Sequence, residues 1–229
     1  MGVKAEVMTV EDARELVSDQ LLWPLVRDFL WDFSSQVHES WIEDILSAKS
    51  ALCDLCVLCG KEKNDGRVKA WLLNELGIEP CFHAFPKDDL SRVLLLDAAT
   101  LESVAKWLGA LACAESLRRV TDGATVRKLK ASLSGVYPEV FGYTAYFKNL
   151  VSSEATDLRG EDIAADVAEK GYGLLFSVFS GFPESVVSRV RFKLPKNLRI
   201  SASPREVDPS VVSKLLKLKF PEAYKLCCS

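Results

Sequence analysis

Histidine is almost absent. His38 and His83 are the only two in 229 residues, and imidazole is the side chain that most often moves protons or binds metal near neutral pH. A glycine-rich phosphate loop, a G-x-S-x-G elbow and an H-E-x-x-H pair are missing as well, so the common nucleotide, hydrolase and metalloprotease sites have no carrier. Carboxylates such as Glu43 and Asp44 are plentiful, but plentiful carboxylates are the ordinary solvated faces of helices. We therefore expect no catalytic residue, no cofactor and no small-molecule substrate. Long apolar runs are lacking: LLFSVFSGF, Leu174 to Phe182, falls far below the roughly 20 residues that cross a bilayer. The N-terminal MGVKAEVMTVEDARELV has no secretory apolar core, and Glu6 stands where myristoylation wants Ser or Thr. The expectation is an unprocessed chain without membrane insertion, and seven cysteines, an odd number, suit a reducing cytoplasm. Basic excess is lacking too. With 29 Lys+Arg against 32 Asp+Glu, the net charge of -3 argues against a nucleic-acid partner.

What is present is hydrophobic residue, 48% of the chain, in a pattern with helical period. This is enough to bury a core in one large domain or two small ones. Thr9 and Asp12 form a candidate capping box, and Leu16, Leu21, Leu22, Leu25, Val26, Phe29 and Leu30 repeat at helical spacing from Val10 to Phe33, interrupted by Pro24. Two helices or one kinked helix are expected there. Further helices are expected over Ser35 to Cys59 and over Arg67 to Leu76, the latter stopped by Gly77 in a left-handed cap, with a loop over 78–92. Leu101, Val104, Ala105, Leu108, Leu111 and Ala112 outline one buried face of a core helix. Val126 to Leu133, Pro138 to Leu150 and Glu161 to Phe182 continue the pattern, and Pro183 and Asp208-Pro209 mark further starts. Only VSRVRFKLPKNLRIS alternates, which predicts a short strand or hairpin around Arg189 to Ile200. The fold class expected is mainly α, a compact multi-helix globular protein with at most a short β-hairpin.

Charge is polarised along the chain. Residues 1–66 hold 6 Lys+Arg against 13 Asp+Glu, a net of -7, whereas residues 185–229 hold 10 against 3, a net of +7. We divide the chain accordingly into an acidic helical region, 1–66, and a helical core with a basic C-terminal end, 67–229, together one compact unit. The opposite charges serve either intramolecular complementarity or a basic surface for a partner. The five tryptophans, Trp23, Trp31, Trp41, Trp71 and Trp107, gather in the N-terminal half, where they suit a core or an interface anchor.

The stretch CDLCVLCG places Cys53, Cys56 and Cys59 at steps of three. A tetrahedral zinc site needs four ligands, and no second C-x2-C pair follows, since the other cysteines stand apart at 81, 113, 227 and 228. On a helix the three thiols would share a broad face with Leu52, Leu55 and Val57 close by, where free cysteine behaves as a small hydrophobe. Packing is the expected role, and metal or redox use the alternative.

Two stretches carry a resemblance. AKWLGALACAESLRR, Ala105 to Arg119, resembles the central helix of type III secretion sorting-platform proteins of the SctK/YscK family: Leu108-Gly109, Glu115, Leu117, Arg118 and Arg119 match, and Ala114 replaces a glycine. GYGLLFSVFSGFPESVVSRVRFKLPKN, Gly171 to Asn197, is similar to the family's second marker, with Arg189, Lys193, Leu194 and Pro195 in place and Phe192 at a leucine position. The likeness continues through WLLNELGI and SVVSKLLKLKFPEAYKLCC and so covers about residues 67–228. It implies a non-enzymatic adaptor of the bacterial cytoplasm, at the injectisome base beneath the inner membrane, linking the cytoplasmic domain of the ring protein SctD to the pod protein SctQ. Candidate partner-binding residues are the basic Arg189, Arg191, Lys193 and Lys196, expected to form an exposed surface, and Glu115, Arg118 and Arg119, which fit partner contact or an ion-pair network on one helix equally well. Another helical interaction protein, a regulator or chaperone, would show the same helices, and a metal or thiol protein would require a use for the cysteine run.

Overall fold

Short acidic side chains start three of the helices. In the computed structural model, which describes residues 22–48, 66–78, 92–150, 162–200 and 207–228, the first backbone N–H groups of a helix lack intrahelical acceptors, and a carboxylate one residue upstream supplies one. Asp122 accepts from the Thr125 amide at 2.7 Å, Asp162 from Ala164 and Ala165 at 3.1 and 3.2 Å, and Asp208 from Ser210 at 2.9 Å. The hydrogen bonds from Thr125 hold the Asp122 carboxyl below its ordinary pKa, and those from Ser210 do the same for Asp208. Pro209 then occupies the first helical turn, where its missing N–H removes no bond.

The helices, in chain order, are α1 (Leu22–Leu30), α2 (Glu39–Ala48), α3 (Gly66–Glu75), α4 (Ala98–Ala112), α5 (Ala114–Arg118), α6 (Gly123–Ser132), α7 (Val140–Tyr143), α8 (Ile163–Val178), α9 (Glu184–Lys193), α10 (Pro209–Lys219) and α11 (Pro221–Cys228), with 3-10 turns at Phe33–Gln36 and Thr144–Phe147. No strand occurs among the described residues. The mainly α class stands. Two compact units divide the chain, one drawn from Met1–Ala98, Gly181–Asn197 and Leu226–Ser229, the other from Ala99–Ser180 and Leu198–Lys225.

In the first unit Pro24 lies within α1, Leu22–Leu30, and the residues before 22 lie outside the described ones. Val26, Phe29 and Leu30 bury the opposite side of α1, joined by Phe33 of the 3-10 turn, against which α3 and α9 pack. Helix α3 ends as Gly77 predicts: its φ is +65°, and the Gly77 and Ile78 amides return to the Asn74 and Leu73 carbonyls at 3.0 and 2.8 Å. This paired closure places buried Ile78 back over the helix end. Of the helix expected over Ser35 to Cys59, the structure shows α2 from Glu39 to Ala48, preceded by the 3-10 turn; residues 49–59 with Cys53, Cys56 and Cys59, the Thr9–Asp12 box and most of the 78–92 loop lie outside the described residues. Val93, Leu94, Leu95 and Leu96, just before α4, are all buried.

The second unit is built on α4 and α8. Helix α4 buries Trp107, Gly109 and Ala110 as well as the expected Leu101, Val104, Ala105, Leu108 and Leu111, so it is surrounded rather than laid on one face. Gly109 of α4 and Gly171 of α8 meet there. A Cβ on Gly109 would collide with the Val167 carbonyl oxygen and approach the Gly171 nitrogen to 2.9 Å, and a Cβ on Gly171 would collide with the Ala105 carbonyl oxygen. The two backbones touch only because both residues lack a side chain. Helix α8 also packs on α6. Pro138 to Leu150, expected as one helix, forms α7 and a 3-10 turn instead.

Candidate functional site

The segment expected to be a hairpin is the second half of α9 followed by irregular chain, and this changes where its charges go. With a period of two, positions 189, 191 and 193 share one face; with 3.6, Val186, Arg189, Val190 and Lys193 share one. The helix buries that second set. Arg189 is 1% exposed and Lys193 2%, which removes both from the exposed basic surface expected of them and leaves Arg191 and Lys196 half-buried at its edge.

Burial of two cations is tolerable only where donors meet acceptors. Arg189 Nε donates to the Phe29 carbonyl at 3.1 Å and Nη2 to the Leu30 carbonyl at 3.3 Å, so the guanidinium sits on the C-terminal carbonyls of α1, where the helix leaves acceptors over and its dipole favours a cation. Nη1 returns to the Ser185 carbonyl at 2.7 Å. One turn on, Lys193 Nζ donates to the Leu94 and Leu96 carbonyls, both at 2.9 Å. The aromatic pair beneath, Phe29 and Phe33 with centroids 5.8 Å apart, gives each cation a ring: Lys193 over Phe29 at 4.8 Å and Arg189 over Phe33 at 5.9 Å. Burial lowers the Lys193 pKa from 10.5 to about 7, with Asp97 opposing the fall. The pair thus ties three separate stretches of sequence into one unit.

The chain after α9 is clamped by α2 and the residues before it. The His38 amide donates to the Phe192 carbonyl at 2.9 Å, Trp41 Nε1 to the Leu194 carbonyl at 2.9 Å, and the Lys196 amide to Ser40 Oγ at 2.9 Å. Trp41 stacks edge-on against Phe192, centroids 4.9 Å apart, and Lys196 pairs with Asp44 while lying over the Trp41 ring at 5.5 Å. Opposite charges of the two chain ends do meet here, in one exposed ion pair. His38, Ser40, Trp41 and Asp44 carry no motif, and partners more than 150 residues away leave no local signal.

In the second unit Glu115 and Arg118 form an i,i+3 ion pair at 2.5 Å. Arg118 also reaches Thr144 Oγ1 at 3.1 Å and lies over Phe141 at 5.4 Å. Arg119 is exposed beside it. The structure brings Glu115 and Arg118 together, and Arg189 with Lys193, each cluster within its own unit. Cys113, the described cysteine whose side chain is seen, is buried, and burial pushes its thiol up to about 11, with Lys170 lowering and Asp166 raising it; such a thiol packs rather than reacts.

These two clusters fall on the stretches that suggested a family, and comparison with known families decides it: the family described as YOP proteins translocation protein K (YscK) matches residues 28–229. The chain belongs to the YscK family. No curated protein and no solved structure matches it. YscK is a type III secretion family, so this protein has its role in that system. The match reaches further than the resemblance over 67–228 and takes in Phe29, Leu30, Trp41 and Asp44, the residues that hold α9 in place. Among the described residues no helix is long and apolar enough to cross a membrane.

Proposed function

We propose that this YscK-family protein is a non-enzymatic adaptor of the type III secretion sorting platform, linking the cytoplasmic domain of the inner-membrane ring protein SctD to the pod protein SctQ. The observation that carries this is the family match across residues 28–229. The way the two marker stretches are used supports it: Gly109 and Gly171 let helices approach, and Arg189 and Lys193 close a unit, so these residues maintain a scaffold and the charges left outside are offered to partners. Those are Arg191 and Lys196 on one unit, and Glu115, Arg118 and Arg119 on the other. The protein works at the cytoplasmic face of the inner membrane, at the injectisome base.

The test is deletion of the gene in the native bacterium. SctQ should no longer assemble beneath the basal body and effector secretion should stop, with both restored by complementation. Normal secretion in the deletion strain would reject the adaptor. Affinity purification followed by mass spectrometry should recover SctD and SctQ; recovery of unrelated partners alone would favour a regulator or chaperone.

A further inference from the structure

Helix α10 carries lysine at three of the six positions in KLLKLK, Lys214 to Lys219, and the three are not alike. Lys219 turns inward, 4.5 Å from the Trp107 centroid and 4.1 Å from that of Tyr143, and pairs with Glu139 at 2.5 Å. Partial burial opposes its charge, but the hydrogen bonds to Glu139 and Tyr143 prevail and raise its pKa. Lys214 and Lys217 face outward. Lys214 Nζ donates to the Tyr146 carbonyl at 2.9 Å and lies 5.9 Å from that ring and 5.6 Å from Phe147, while Lys217 lies 5.9 Å from Tyr224. Neither has a carboxylate partner among the described residues, and nearby Glu222 is bound to Lys225 at 2.8 Å.

Two large apolar side chains stand exposed on the same ground: Tyr146 at 57% and Leu218 at 41%, with Lys214 touching the first and one helical turn from the second. Rings 5.6 and 6.2 Å apart connect Trp107, Tyr143 and Tyr146 from the core outward, so the tyrosine is mounted on packed material and both lysines are held by rings. Aromatic area fixed in advance, beside oriented charge of one sign, is the composition of a docking site rather than of an ordinary solvated face.

We propose that Tyr146, Lys214, Lys217 and Leu218 dock an acidic protein segment, which places an apolar side chain against Tyr146 and Leu218 and carboxylates on the two lysines. A membrane does not fit. A helix that lies in a bilayer surface inserts its apolar side, and the apolar side of α10, Val212, Leu215 and Leu216, is buried in the protein's own core.

The test replaces Tyr146 with the photo-cross-linker p-benzoyl-L-phenylalanine in the full chain in the native bacterium, with the same residue at exposed Lys130 as control. The expected product at 146, absent at 130, is a peptide from another protein with more Asp+Glu than Lys+Arg, and its yield should fall about tenfold in a Lys214→Glu, Lys217→Glu background. If that variant melts differently by circular dichroism, Lys214→Gln, Lys217→Gln takes its place. A neutral or basic peptide, a yield that charge reversal leaves unchanged, capture of lipid, or no capture would each overturn the proposal. Binding of the purified chain to phosphatidylglycerol vesicles through Lys214 and Lys217 would do the same. Secretion by the deletion strain is decided separately, so this surface and the adaptor role can fail independently.

Discussion

A lysine set among Leu94, Leu96 and Phe29 works against its own solvation. Lys193 is cationic in the unfolded chain up to its ordinary pKa of 10.5, but in the folded unit burial brings that value to about 7. Between these two values the unfolded state binds a proton that the folded state has released, so stability rises with pH across that window and is flat on either side. Urea denaturation at pH 6.5, 8 and 9.5 should show the increase, and Lys193→Met should lose it while being less stable throughout, because two buried carbonyls lose their donor. An equal slope in both proteins would refute the assignment. Arg189→Leu leaves the α1 carbonyls of Phe29 and Leu30 without their guanidinium and should cost ~3 kcal/mol in the same denaturation. Arg189→Glu should be worse, since it faces carbonyls with a carboxylate. That variant is therefore a test of folding and not of a surface.

At the scale of elements, the crossing of α4 and α8 depends on two hydrogen atoms where side chains would be. Gly109→Ala and Gly171→Ala meet backbone that cannot rotate away, so each should destabilise by on the order of 2 kcal/mol or more despite alanine's better helix propensity. Gly123→Ala, in the first turn of α6 with nothing within 4 Å, should instead stabilise by about 0.5 kcal/mol. Thermal melts of the three variants check the contrast; similar melting shifts would show that the close approach is not real. Here the sequence was legible in part. The 3.6-residue period exposed α4, Asp208-Pro209 announced α10, and Gly77 announced the end of α3, because each signal lies within one turn. Which faces meet is set by residues 62 positions apart, and nothing near Gly109 names Gly171. Helix α9 was legible at its start, Pro183, and was misread from Arg189 on for another reason. Its buried stripe includes Arg189 and Lys193, so hydrophobicity alone favoured the alternating pattern; only the carbonyls waiting at Phe29, Leu30, Leu94 and Leu96 make the helical stripe acceptable.

For the whole molecule, the opposite charges of the two ends suggested either intramolecular complementarity or a basic surface for a partner, and the structure distributes the basic charge among three uses. Arg189 and Lys193 are inside one unit, Lys196 meets Asp44 on its surface, and Lys214, Lys217 and Lys219 belong to the other unit. Net charge over a stretch of sequence says nothing about which side of a helix holds it, which is why the burial of Arg189 and Lys193 was not legible in it. Arg191 and Lys196 are the two of the four basic candidates that are not buried. The ion pair from Lys196 to Asp44 joins side chains 39% and 53% exposed, so losing it should cost well under ~1 kcal/mol. Arg191→Glu, Lys196→Glu should therefore melt within a few degrees of the native protein, since a change of that size moves the midpoint of such a chain only about 2 to 4 °C. If these residues steer SctD or SctQ, the association rate with the purified SctD cytoplasmic domain or SctQ should fall in the double variant. The fall should be larger at low ionic strength, where the screening length grows from about 8 Å toward 30 Å and like charge repels from further away. Association rates unchanged for both partners at low salt would remove Arg191 and Lys196 from the binding surface, while a loss independent of salt would point to a packing defect around Trp41 instead.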